Sequence, residues 1–197
     1  MLAAAVVLGA ASLFAYSRAA QPFWKHLTAV SPSTGGNLLL FQIDVDGDGR
    51  REVFISPSNL CGTGGCPWYV YSPTRTSREV TYLGEAGFSA RGYRFSPGTH
   101  TITYCWHMSA AECALGAYRF TGKRMLHRNL GGCDSRSERC AAELHRIREW
   151  QTKHAPPVLT GELPEGEGGT VVWRSSGGAL SSDVPDLDRL RVVSTRE

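Results

Sequence analysis

A strong excess of charge of either sign is missing from this chain. Its 197 residues hold 21 Lys and Arg against 18 Asp and Glu, a formal net charge of +3. Nucleic-acid binding is not indicated, because neutralising phosphates calls for a clear basic excess. Catalytic signatures are missing as well: there is no Gly-x-Ser-x-Gly elbow and no His-Glu-x-x-His pair. The histidines at 26, 100, 107, 127, 145 and 154 are scattered, and each reads as a surface residue. Glu112, near His107 and Cys113, is the one polar cluster that merits a catalytic test, and no catalytic residue is assigned. No internal repeat is present. No Cys precedes Cys61, which excludes a lipid-modified N-terminal cysteine. No apolar run reaches the roughly 20 residues of a membrane-spanning helix.

The longest apolar run is Leu2–Tyr16, 15 residues of mostly Ala, Val and Leu. It has the length of a secretory h-region, and Ser17-Arg18-Ala19 follows as a small-x-small site. Residues 1–20 are therefore expected to be a cleaved signal peptide, leaving no stable membrane span. No Lys or Arg precedes the run, so retention as a short anchor is the alternative. Removing Arg18 with this segment leaves 20 basic and 18 acidic residues. The remaining charge is uneven, with eight Lys/Arg against three Glu over 75–128 and four Arg against seven acids over 160–197. A basic face for an acidic partner competes there with a merely solvated surface.

The cysteines support export independently. They fall into close pairs, Cys61/Cys66, Cys105/Cys113 and Cys133/Cys140. Nearest-neighbour disulfides are the simplest reading, and they would leave no thiol nucleophile. Each short loop is worth about 2 kcal/mol in the chain-entropy model. The alternative, a zinc site from Cys105, His107, Glu112 and Cys113, fits no common ligand spacing.

From Asn37 to His127 the chain reads as eight short strands punctuated by Gly, Pro and Ser. Leu38–Ile43 and Glu52–Ser56 flank a Gly/Asp turn as a hairpin. Trp68–Tyr71, Val80–Leu83, Gly92–Phe95, Thr101–Trp106, Ala117–Phe120 and Arg124–His127 follow. One helix is expected after Ser135, whose spacing to Glu138 suits a capping box. Cys140, Leu144, Ile147 and Gln151, with Trp150 beside them, would form its inner stripe, and Pro156-Pro157 would end it. The expected fold is mainly β, an antiparallel sandwich or propeller-like sheet with one C-terminal helix. A single disulfide-stapled domain would span 21–155. The Gly-rich stretches of 156–197 suggest a weakly structured tail, with Thr170–Trp173 as a candidate strand.

The strongest chemical signal is Asp44-Val45-Asp46-Gly47-Asp48-Gly49-Arg50-Arg51-Glu52. Carboxylates stand at positions 1, 3, 5 and 9 of this stretch, and Gly49 would turn the Arg50 carbonyl inward. Such a turn can supply Ca²⁺ with hard oxygen ligands from Asp44, Asp46, Asp48, Arg50 and Glu52. A bare polar hairpin loop is the alternative. An EF-hand is excluded, because Ile55 stands where the bidentate Glu would be and the flanks read as strands.

The segment resembles the strand-loop-strand calcium turns of FG-GAP propeller blades over residues 44–52. A wider stretch adds Cys61-Gly62-Thr63-Gly64-Gly65-Cys66-Pro67-Trp68, Tyr118-Arg119-Phe120 and Gly122-Lys123. It resembles a group of small, mostly uncharacterised bacterial periplasmic proteins. By analogy of architecture, the resemblance implies a periplasmic or secreted inhibitor of lysozyme type, or an immunity protein against a cell-wall hydrolase. The expected partner is thus another envelope or secreted protein. The alternatives are an envelope glycan-binding module or cell-wall enzyme using Trp68, Trp106 and neighbouring aromatics, and a purely structural envelope protein.

Overall fold

The computed structural model describes residues 20–31, 36–76, 78–108, 112–122, 124–134, 136–162, 171–175 and 186–193. The expected signal segment, apart from residue 20, lies outside them. Alternation along the first hairpin decides the architecture. β1 (Gln21–Pro22) and α1 (Phe23–Val30) lead into β2 (Asn37–Ile43) and β3 (Glu52–Pro57), and the latter two pair antiparallel. Leu38, Leu40, Val53 and Ile55 point to one side of this hairpin, Phe41 and Phe54 to the other. Every residue of β3 is buried. Apolar side chains on both sides force a cover over each face.

β4 (Cys66–Pro73) and β5 (Glu79–Phe88) extend the hairpin into a meander. β6 (Tyr93–Ser96), β7 (Thr101–His107), β8 (Glu112–Thr121) and β9 (Arg124–Asp134) form a second, four-stranded antiparallel sheet in that order. The two sheets share an aromatic core. Phe41, Phe54, Trp68 and Phe88 come from the first, and Tyr93, Tyr104, Tyr118 and Phe120 from the second. Phe41 stacks on Phe54 with ring centroids 4.6 Å apart, and Trp68 donates its indole N–H to the Phe88 carbonyl at 2.9 Å.

α2 (Glu138–His154) packs on the outer side of the second sheet. Its expected stripe is its buried face. Cys140 and Ile147 are buried, Leu144 packs against them, Trp150 lies on Tyr93, and Gln151 donates to the Tyr93 carbonyl at 2.6 Å. The capping box is corrected: the N-cap is Ser137, so Glu138 is the first helical residue, while Ser135 lies outside the described residues.

Two further expectations change. The described parts of 156–197 contribute three short strands to the first sheet: β10 (Leu159–Glu162), β11 (Val172–Arg174), which overlaps the candidate strand Thr170–Trp173, and β12 (Arg191–Val193). β10 pairs with β2 and carries β11 outside it, whereas β12 pairs with β5 and carries β1. The sheet thus has eight strands, ordered β1-β12-β5-β4-β3-β2-β10-β11. The Gly-rich stretch 163–169 lies outside the described residues. The β12–β5 pairing is parallel, so the protein is mainly β but not purely antiparallel.

The second change is α1, a helix without a sequence counterpart. Phe23 and Leu27 bury themselves against the Leu38/Tyr71 side of the first sheet, beside Leu187 and Leu190. The Trp24 indole donates to Asp188 at 2.6 Å and the Phe23 amide to the Leu190 carbonyl at 3.2 Å. Segments from both ends of the chain therefore cover one face together. Among the described residues no helix is long and apolar enough to cross a membrane.

Candidate metal centre

The β2–β3 connection needs two backbone conformations that side chains with a Cβ disfavour. Gly47 has φ +77° and Gly49 φ +84°. At Gly47 a Cβ would also stand 2.8 Å from His100 Cε1, so the His100 ring lies directly over the turn. His100 Nδ1 donates to the Val45 carbonyl at 3.2 Å. Val45 is fully buried in the aromatic core, which anchors the loop from below.

Three carboxylates converge on this loop. Single oxygens of Asp44, Asp46 and Asp48 lie within 4.8 Å of one another, a group that could hold a metal ion. Among the described residues it is the one such group of three or more His, Cys, Asp or Glu. Asp44 accepts the Gly47 amide at 2.7 Å and the Gly49 amide at 3.0 Å. Asp46 accepts the Asp48 amide at 3.2 Å, and Asp48 accepts the Arg50 amide at 2.9 Å. These bonds orient the three carboxylates on the loop.

Charge is distributed unequally over the three. The Arg50 guanidinium bonds and ion-pairs with Asp48 and holds that carboxyl below the usual carboxylate range. Asp46 is pushed the other way, chiefly by burial and also by the charges of Asp48 and Asp44. A cationic partner thus favours the charged form at Asp48, while burial and neighbouring anions disfavour it at Asp46. Arg50 thus contributes a positive charge at the loop's rim, besides the carbonyl proposed from sequence.

Glu52 stands apart from the three aspartates. It is buried, with Oε2 accepting the Val45 amide at 2.8 Å and Oε1 the Ser72 hydroxyl at 3.0 Å. Burial pushes its carboxyl up to about 7. In this position Glu52 braces the loop's start and β4 against the base of β3. His100 and Ser72 had no signal in the sequence, since they lie 55 and 20 residues from the groups they contact.

The six cysteines form the three expected bridges, with Cα separations of 4.1 Å for Cys61–Cys66, 5.7 Å for Cys105–Cys113 and 5.5 Å for Cys133–Cys140. None remains free, which removes thiolates from the alternative zinc site. His107 lies opposite Cys113 in the strand register and is exposed.

Trp68, Trp106 and the other strand aromatics that one alternative takes for a binding face are mostly core. Trp68, Tyr69, Tyr71, Tyr93, Phe95 and Tyr104 are buried, because strand alternation turns them into the two clusters. Trp106 alone of that set is open, at 37% exposure, and its indole lies across Gly64 and Gly87. Neither a family model, nor a curated protein, nor a solved structure matches the chain.

Proposed function

We propose that this is an exported, calcium-stabilised binding protein whose partner is another envelope or secreted protein, with inhibition of a cell-wall hydrolase, or immunity to one, as its role. The observation that carries the calcium assignment is the group Asp44, Asp46 and Asp48 on a glycine-bent loop. Carboxylate oxygens at this density suit Ca²⁺, which accepts six to eight hard ligands in flexible geometry. The Arg50 carbonyl and water would complete the shell. Glu52 acts behind it, holding the loop's first amide.

Three disulfides support an oxidising compartment, consistent with export to the periplasm or medium. Support for a binding role comes from Trp106, Met108 and Leu126, the large apolar side chains exposed among the described residues. An affinity pull-down with the oxidised protein, from envelope and secreted fractions in calcium and in chelator, tests the reading. One dominant protein retained in calcium is expected, and a cell-wall hydrolase would define the role. Recovery of no stoichiometric partner in either condition overturns it.

A glycan-binding module is the second reading, favoured by the Trp106 indole lying over glycines beside the Cys61–Cys66 loop. Binding of peptidoglycan fragments that Trp106→Ala abolishes would select it.

A further inference from the structure

Among the described residues β9 is the longest strand, and it ends the second sheet. Among the described residues β8 is the one strand paired with it; at its far end the Asp134 carbonyl accepts the Ser137 amide at 2.9 Å and the Gly131 amide donates to Asn129 Oδ1 at 2.8 Å. Eight of its eleven residues are exposed. An edge of this length offers a row of unpaired N–H and C=O groups to any extended chain.

The outer face beside that edge is chemically uniform. Cross-strand neighbours share a face, and the register sets Arg119 opposite Leu126, Thr121 opposite Arg124 and Ala117 opposite Arg128. Arg119, Arg124 and Arg128 are exposed, and Leu126 between them is 55% exposed. None of the three arginines has an ion pair or side-chain hydrogen bond among the described residues. From Ala117 to Arg128 the sequence holds no acidic residue. α2 covers a different part of this face, where Glu143 is held by Arg94 and Arg146.

We propose that the open edge of β9 takes up an extended acidic segment of a partner protein as an added strand. Side chains recur on one face every second residue, about 7 Å apart. An added strand therefore places three same-face residues opposite Arg124, Leu126 and Arg128. The segment that fits reads acidic-x-apolar-x-acidic, with carboxylates on the two flanking arginines and the apolar side chain on Leu126. Arg119, one strand behind Leu126, adds positive potential to both carboxylate positions. Backbone pairing favours a polypeptide over an anionic glycan, which has no matching row of amides. The proposal names the surface and partner chemistry of the binding role proposed above, and so rests on that reading.

The competing explanation is that the arginines blunt a bare edge against self-association. The test uses the full oxidised chain and the peptide Thr-Glu-Thr-Leu-Thr-Glu-Thr, followed by fluorescence anisotropy at low and high salt. Comparison probes are the same peptide with Lys for Glu, the acidic peptide N-methylated on its edge-facing amides, and a sulfated glycan. The expected result is binding of the acidic peptide alone, weakened by salt. Binding should fall at least about tenfold in the triple variant Arg119→Glu/Arg124→Glu/Arg128→Glu and survive in the corresponding triple Lys variant. An unchanged melting temperature in both variants shows that the fold is intact. Equal binding of the Lys peptide, or of the N-methylated peptide, overturns the proposal. So does preferential binding of the glycan, or failure of the acidic peptide to bind while Arg-to-Glu variants stay monomeric and Arg-to-Thr variants self-associate. A partner captured by the wild type and equally by the triple Glu variant overturns this surface but leaves the binding role standing. Peptide binding as described with no captured partner does the reverse.

Discussion

At the scale of single residues, Glu52 carries an electrostatic consequence that falls near neutral pH. Its burial raises the folded-state pKa from the ordinary 4.5 to about 7, so the folded protein holds this proton more tightly than the unfolded chain. Its contribution to stability is then fully present below pH 4.5 and is lost as pH rises through 7. In chelator, Glu52→Gln should flatten that loss. At pH 8 the variant should gain on the order of 3 kcal/mol over wild type, read from urea unfolding at several pH values. A variant that tracks the wild type from pH 4.5 to 8 would contradict the buried brace. His26 has the opposite sign. Burial lowers its pKa, with Nδ1 3.1 Å from the Tyr71 hydroxyl, so its stability is present above pH 6.5 and lost as pH falls below it. His26→Gln should reduce the acid-side loss in the same experiment. Asp46 tests the ion itself. Asp46→Ala should lower the melting temperature in calcium but not in chelator, losing about 2.7 kcal/mol where calcium stands at 100 times its Kd. Equal loss in both buffers would mean that the loop is only a turn.

At the scale of elements, what was legible in the sequence is what local chemistry dictates. Asp44 to Glu52 announces its own turn, because its carboxylates and glycines act within nine residues of one another. β7 and the stripe on α2 were legible because alternation and helical spacing are local periodicities. α1 was not legible. It has eight residues, no side-chain cap and no acidic residue in its first turn, so nothing intrinsic favours it. Its helix exists because Phe23 and Leu27 find Tyr71, Leu187 and Leu190. β12, three residues long, likewise takes its identity from β5, more than a hundred residues earlier. If packing alone makes α1, then Leu27→Ala should cost about 3 kcal/mol, whereas Thr28→Ala on the exposed side should stay within about 0.5 kcal/mol. Chemical denaturation of the two variants checks this. Equal, small effects would show that α1 does not cover the sheet.

At the scale of the whole molecule, the strands differ in what secures them. The meander β2–β5 is central, buried on both sides at β3, and held against the second sheet by Phe41, Phe54, Trp68 and Phe88. The opposite cover is assembled from residues 21–30 and 187–193, joined by Trp24–Asp188, Phe23–Leu190 and the Gln21–Val192 register. Disulfides staple the Cys61–Cys66 loop and the second sheet with α2, but none reaches this cover. Opening it would expose one face of the first sheet without breaking the aromatic core between the sheets. Cooperative units with few constraints open at lower free energy than the core they shield. Native-state hydrogen exchange should therefore find the amides of Phe23 and Val193 opening together, at a lower free energy than those of Phe54 and Val70. Leu27→Ala should lower the opening free energy of both cover segments equally, because each loses the same shared contact. Calcium should raise protection around Val45 and Glu52 and leave the cover's own opening unchanged. Independent exchange of the two cover segments would show that the chain's two end regions are not one unit, and protection of the cover by calcium would show that the turn and the cover are coupled through the sheet.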